Sequence, residues 1–384
     1  MLNRRSVSLL LAGAMMTVLP VAAIAAEEIK IGVTEPLTGA VAASGNYVVQ
    51  GAKIAEALIN ASGGVLGKPI RLIIEDNKSN PKEAVLTAEK LIVRDKVPVL
   101  MGAWSSTYTL AVMPKLMEYG VPMVVETSSS GKITTSGNPW IFRISPTSAM
   151  EARAFGDKVD QFNIKKADFL VVNNDWGRGA SKEFVSVLKS KGIDVGVVET
   201  MDAKTVDISA QLAKIKSSGG DTLFVTSGVE QITLVLKQMK DLRLSHRVIT
   251  TGGSSSPAQL IEQAGAAAEG SYHLLFFAPW FPGSAPNPKV ATTFVDEWKK
   301  KGHNFAGLTE GFRGFDGITT IVAGIKAAGV AEPKAIQKAL WGVKVAGVNG
   351  NISFIKQGPA GKESAQNVPN VYVVTIKDGK VALP

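Results

Sequence analysis

The sequence predicts an α/β protein built as two doubly wound parallel-sheet lobes. Three observations carry this. Short apolar runs alternate with amphipathic helical patterns from residue 29 to residue 251, which is how βα units around parallel sheets read. The series restarts after Pro146, so one continuous sheet does not account for it. The chain has 384 residues, 45% hydrophobic and 20% charged, a globular balance large enough for about two domains.

Before the first strand, Arg4 and Arg5 precede an apolar stretch from Leu9 to Leu19, and Ala23-Ile24-Ala25 follows Pro20. This order predicts a secretory signal peptide over residues 1–25. The apolar core falls short of the ~20 residues of a membrane span. Ser8 interrupts the apolar pair expected after a twin arginine, which favours the Sec route over Tat. Cleavage would remove two arginines and lower the formal charge of +9 by two. The mature protein is expected in the periplasm.

Residues 29–34 read as the first strand, and Val48, Ala52, Ala55 and Ile59 then recur at helical spacing. Gly63-Gly64 ends that helix, since glycine tolerates a left-handed cap. Residues 70–75 form the next strand. Asn80-Pro81 opens the next helix, with Asn as N-cap and Pro in the first turn. Residues 97–101 and 121–125 are buried strands around a helix at 108–119. The second series runs helix 149–162, strand 168–172, helix 179–191, strand 194–199, helix 208–217, strand 221–226, helix 229–242 and strand 248–251. Breaks between lobes are expected near Ser145-Pro146-Thr147 and over residues 277–286. Helices at 289–300, 311–328 and 333–341 and a strand at 371–376 complete the chain.

The composition excludes several chemistries. There is no cysteine, hence no disulfide, thiolate nucleophile or Cys-ligated metal. The three histidines, His246, His273 and His303, are far apart, and no H-E-x-x-H occurs. No G-x-S-x-G elbow is present, and the Gly-Lys pairs at 67, 131 and 361 lack the first glycine of a P-loop. No enzyme, metal or cofactor is expected. The longest basic run, Lys299-Lys300-Lys301, lies at a helix end where lysine complements the dipole, so the net positive charge does not imply nucleic acid.

Two strands instead run straight into hydroxyl clusters: Trp104-Ser105-Ser106-Thr107 after the third and Thr127-Ser128-Ser129-Ser130 after the fourth. In parallel sheets ligands bind beyond the carboxyl ends of strands, beside helix N-termini that attract anions. The clusters read either as ordinary N-caps or as a carboxylate cradle. In the second lobe, Trp176 stands just past a strand end; it either closes over an apolar ligand or packs between lobes. Trp280 and Trp341 read as hinge and helix packing.

At this point the sequence resembles the periplasmic solute-binding proteins of the leucine/isoleucine/valine-binding class, which serve ABC importers. The residues that carry the resemblance span the mature chain. They are Ile29-Lys-Ile-Gly-Val-Thr-Glu-Pro-Leu-Thr-Gly39, Ile59-Asn-Ala-Ser-Gly-Gly-Val-Leu-Gly67, Glu75-Asp76 with Asn80-Pro81, Gly102 with Ser105-Ser106, Asp207-Ile-Ser-Ala-Gln-Leu212, Ala267-Ala-Glu-Gly270 and Phe315-Asp316. The resemblance implies the type I fold, with lobes of 26–147 plus 278–349 and of 148–277 plus 350–384 joined by a three-segment hinge. It implies a monomer that hands a small solute to an ABC permease in the inner membrane. By position it makes Ser106, Ser128 and Ser129 the carboxylate contacts, with Trp104, Ser105 and Thr127 adjacent. Ser44 lies where members often have a pocket aromatic, and Trp176 where they place an aromatic lid.

One departure stands out. Members that bind amino acids commonly place an acid after the strand at 248–251 to pair with the ligand ammonium, and this chain has Gly252-Gly253. A buried ammonium without a partner is costly. Either Glu310, Glu230 or Glu126 substitutes, or the ligand is an aromatic or aliphatic carboxylate, or an amide, without an ammonium. A hydrophobic amino acid is the first expectation. A ligand sensor on the same fold is the alternative to import.

Overall fold

The computed structural model describes residues 27–253 and 255–384; the expected signal peptide lies outside them. The first lobe opens with β1 (Ile29–Glu35), α1 (Ala42–Ala61), β2 (Ile70–Asp76), α2 (Pro81–Glu89), β3 (Leu100–Gly102), α3 (Ser106–Tyr119), β4 (Met123–Val125), α4 (Lys132–Thr135) and β5 (Ile141–Arg143). The second comprises α5 (Ser148–Gly156), β6 (Lys166–Val172), α6 (Asp175–Ser190), β7 (Asp194–Met201), α7 (Ser209–Ser218), β8 (Thr222–Thr226), α8 (Val229–Asp241), β9 (Arg247–Thr250), α9 (Pro257–Ala264) and β10 (Tyr272–Leu275). The chain then returns through α10 (Pro288–Lys300), α11 (Leu308–Ala328), α12 (Pro333–Leu340), β11 (Val345–Gly347), β12 (Gly350–Ile352), β13 (Ile355–Gln357) and β14 (Ser364–Gln366). It ends with β15 (Tyr372–Lys377) and β16 (Lys380–Ala382).

Two seven-stranded sheets result, in the orders β13-β14-β5-β4-β3-β1-β2 and β16-β15-β10-β9-β8-β6-β7. Each contains a parallel core whose order reverses, between β1 and β3 in one lobe and between β6 and β8 in the other. Both faces of each sheet are covered. This is why strands such as Leu223–Phe224–Val225 are apolar without alternation. Each fully buried large apolar side chain in these layers contributes roughly 1.5–3 kcal/mol.

The N-cap reading at Asn80 holds, its side chain accepting from Lys82 N and Glu83 N. The sequence pattern did not reveal β5, β10, α9 or the short strands β11 to β14. It also placed the start of α6 four residues late, so that Trp176 lies in the first helical turn and not in a loop.

The third lobe boundary differs from the expectation at 350. Strands β13 and β14 extend the first sheet, β14 pairing in parallel with β5 through Ala365↔Phe142 and Gln366↔Arg143. Only β15 and β16 join the second sheet. The chain therefore makes its last crossing between Gln366 and Tyr372. A buried contact fixes it: Arg143 Nε donates to Gln366 Oε1 at 2.6 Å. Residues 223 apart in sequence leave no local pattern for such a pairing.

The helix most important for the site is α11. It packs on α1 almost backbone to backbone, because a Cβ on Gly51 would stand 1.7 Å from Gly311 O and one on Gly314 would stand 1.9 Å from Val48 O. This approach carries Glu310 and Arg313 to the carboxyl ends of β1 and β4, where Glu35 and Glu126 point.

Candidate functional site

The strand ends around the two reversal points face one another across a narrow cleft. Trp104, Ser105, Ser106, Thr127, Ser128, Ser129, Trp176 and Gly252 line one small cavity there. Six of these residues come from the turns after β3 and β4, one from α6 and one from the turn after β9. All the named side chains are buried.

The hydroxyl clusters do more than cap helices. Ser105 is the N-cap of α3, yet its side chain makes no capping bond. Ser106 Oγ accepts from Ser130 N at 3.1 Å, tying the two turns together. Ser128 Oγ donates to Trp104 O at 2.9 Å and lies 2.8 Å from Thr109 Oγ1. Ser129 Oγ lies 3.1 Å from Ser148 Oγ. The start of α3 borders the same space through Ser105 and Ser106, and helix N-termini are favourable positions for negative charge.

Sequence reasoning missed Arg143, which lies directly behind the second turn. Its Nη1 donates to Ser128 O and Ser130 O at 3.2 and 2.6 Å, and its Nη2 to Thr134 Oγ1 at 2.7 Å. Burial pushes its pKa down to about 9, so it is cationic at neutral pH. An arginine on a short strand shows no signal in sequence, because only the fold places it under the serines.

Trp104 has a left-handed backbone, φ +63, a conformation costing about 1–3 kcal/mol for a side chain of this kind. Two carboxyls hold it: Trp104 N donates to Glu126 Oε1 at 3.2 Å, and Trp104 Nε1 donates to Glu310 Oε2 at 3.3 Å. Glu310 also pairs with Arg313 Nε at 3.2 Å. Burial raises Glu310 to about 7 against the pull of Arg313. Burial and the adjacent Glu126 raise Glu35 well above the ordinary carboxyl range.

The second lobe explains the missing acid. Gly252 has φ +88, and a Cβ there would stand 2.2 Å from Trp176 Cζ2. The indole occupies the space any side chain at 252 would need. Asn174 caps α6 through Gly177 N at 2.9 Å and so fixes the turn that carries Trp176. Glu151 Oε1 accepts from Gly252 N at 2.6 Å. Burial raises Glu151 to about 8, opposed by that hydrogen bond and by Arg313. Glu151 was not anticipated, because an acid in a first helical turn is ordinary.

Three of the expected site residues do not line the cavity. Ser44 is buried on α1, Glu230 is exposed at the start of α8, and Glu310 lies behind Trp104. Among the described residues that line the cavity, none carries a charge. Its floor is polar and its walls are two indoles, an arrangement suited to an anionic head on an apolar body.

The lobes are in contact around this cavity. Thr107 Oγ1 donates to Asp175 Oδ2 at 3.3 Å, Ser256 Oγ to Ala306 O at 2.7 Å and Arg313 Nη2 to Gly253 O at 2.6 Å. Each bond joins one lobe to the other. Among the described residues no helix is long and apolar enough to cross a membrane, and no group of three or more His, Cys, Asp or Glu could hold a metal.

Known proteins share this architecture. The chain is 28% identical over 335 residues to a leucine-, isoleucine-, valine-, threonine- and alanine-binding protein of Pseudomonas aeruginosa, covering 87% of each. A leucine-binding protein LivK from Thermotoga maritima superimposes with a TM-score of 0.82 at 27% identity, over 93% of this chain and 97% of that one. A solute-binding protein of an R. palustris ABC transporter, solved with benzoate, shares the fold with a TM-score of 0.80 at 22% identity, over 93% and 95%. The family described as periplasmic binding protein matches residues 28–380, and the chain belongs to that family.

Proposed function

We propose that the chain is the exported, non-catalytic solute-binding component of an ABC importer, closing its lobes on a small amphipathic carboxylate, a hydrophobic amino acid first. The observation that carries this is the convergence of the two hydroxyl turns and the two indoles on one buried cavity between lobes. Ser105, Ser106, Thr127, Ser128 and Ser129 with the α3 N-terminus take the carboxylate, and Arg143 supports it from behind. Trp104 and Trp176 sandwich the apolar body. The closed form is then what an inner-membrane permease recognises.

A second reading has its own support. Trp176 excludes a side chain at 252, and the described lining is uncharged. A carboxylate without an ammonium, such as benzoate, leaves no buried cation to neutralise. The fold holds benzoate in the R. palustris protein. Titration calorimetry with leucine, isoleucine, valine, benzoate and 4-hydroxybenzoate separates the two readings. Heat with none of them refutes both as stated. Undiminished binding by both Ser129→Ala and Trp176→Ala refutes the site assignment.

A further inference from the structure

Arg313 lies at a junction that the pocket residues alone do not explain. It belongs to α11 of the first lobe and is fully buried. On one side it pairs with Glu310 Oε2 at 3.2 Å, the same oxygen that accepts from the Trp104 indole at 3.3 Å. On the other its Nη2 donates across the cleft to Gly253 O at 2.6 Å. Gly253 follows Gly252, which carries the Trp176 contact and the hydrogen bond to Glu151. The guanidinium also stacks over Phe276, 5.2 Å from its ring centre, where the chain leaves β10 for the second crossing. One side chain thus touches Glu310 behind the first-lobe wall of the pocket, Gly253 next to the second-lobe wall, and a hinge segment.

The relay is also incomplete in a telling way. Arg313 Nε and Nη1, Glu310 Oε1 and Glu151 Oε2 are buried without a hydrogen-bond partner among the described residues, so the Arg313–Glu310 contact is an ion pair and not a hydrogen bond. Glu35, Glu126, Glu151 and Glu310 all lie within Coulomb reach of Arg313. Burying such groups without full pairing is unfavourable, and an open cleft would hydrate them. Closure therefore carries a standing penalty in this region that must be offset by whatever fills the cavity.

We propose that Arg313 is the positioning residue that makes lobe closure conditional on an ordered pocket wall, taking the position of Trp104 through Glu310 and passing it to the second lobe at Gly253. When a solute seats Trp104, the indole N–H fixes Glu310, Glu310 fixes the guanidinium, and its free edge reaches the Gly253 carbonyl. With Trp104 unseated the fork loses its orientation, and the lobes close on water without a latch. The fork geometry is essential, because an ammonium cannot hold Glu310 and Gly253 O together in the same fixed arrangement.

This rests on the closing-trap reading above, and the test separates the two. Small-angle X-ray scattering first asks whether isoleucine or benzoate compacts the wild type; compaction by neither sinks the binding reading itself. With the solute that does, stopped-flow tryptophan fluorescence gives kon and koff for Arg313→Lys, Arg313→Met, Trp104→Phe and the double variant Trp104→Phe/Arg313→Lys. Encounter takes place on the open form, so kon stays within about twofold, whereas loss of a charged hydrogen bond raises koff by about 10- to 100-fold. Arg313→Lys falls between wild type and Arg313→Met, and the double variant is no worse than the poorer single one. A purely structural role would lower thermal stability and leave the ratio of kon to koff unmoved. Wild-type koff in Arg313→Lys, or fully additive effects in the double variant, overturns the proposal even where Arg313→Met fails to fold.

Discussion

Replacing Gly252 with alanine tests the contact that removes the expected acid. Gly252 sits at φ +88, where a side chain costs roughly 1–2 kcal/mol. The new Cβ would lie 2.2 Å from Trp176 Cζ2 and 2.8 Å from Cε2. Ordinary carbon contacts need about 3.5–4.0 Å. The indole must therefore shift by roughly 1 Å or more, and overpacking of that kind costs about 1–3 kcal/mol. Gly252→Ala should lose about 2–5 kcal/mol of stability in total. In a Trp176→Ala background only the backbone part remains, so a double-mutant cycle should give a coupling of about 1–3 kcal/mol. Urea unfolding of the four proteins, followed by circular dichroism, reads this directly. A coupling within about 0.5 kcal/mol of zero would show that Trp176 does not occupy the space at 252, and the steric account of the missing acid would fail.

Three further outcomes follow from the site. Glu151 has a folded pKa of about 8, above the ~4.3 of an unperturbed glutamate. The folded state keeps a proton that the unfolded chain has lost, so stability should fall as pH rises between those values. Urea midpoints at pH 5 and pH 8 should show the fall, and Glu151→Gln should make it shallower; an unchanged slope would remove Glu151 as its source. Arg143→Lys keeps a charge but cannot span Ser128 O, Ser130 O, Thr134 Oγ1 and Gln366 Oε1. It should weaken carboxylate binding about tenfold by calorimetry, roughly the value of one charged hydrogen bond. Thr107→Val removes the interlobe bond to Asp175; because that bond is partly exposed, affinity should fall no more than about fivefold, with the Trp104 and Trp176 fluorescence response intact.

The elements most legible in the sequence were those whose own residues set their geometry. Asn80-Pro81 announced a helix start, and it caps as expected. The hydroxyl clusters after β3 and β4 were legible as candidates because strand ends and helix starts are local features, and the fold brings them to one cavity with Trp176 and Gly252. The strands β5 and β14 were not legible. They are three residues long, too short for a period to show, and they pair with one another across 223 residues of sequence.

What the sequence determined by itself was therefore the class of architecture and the hydroxyl-rich turns that border the candidate cavity, because alternation of apolar runs and the order of turn residues are written along the chain. The tertiary structure decided the rest. It put Arg143 beneath the serines, Glu310 and Arg313 behind Trp104, and the Trp176 indole where an acid at 252 would have stood. Each of these depends on through-space distances between segments far apart in sequence. Packing gave the glycine at 252 its meaning: it makes room for the second wall of the pocket.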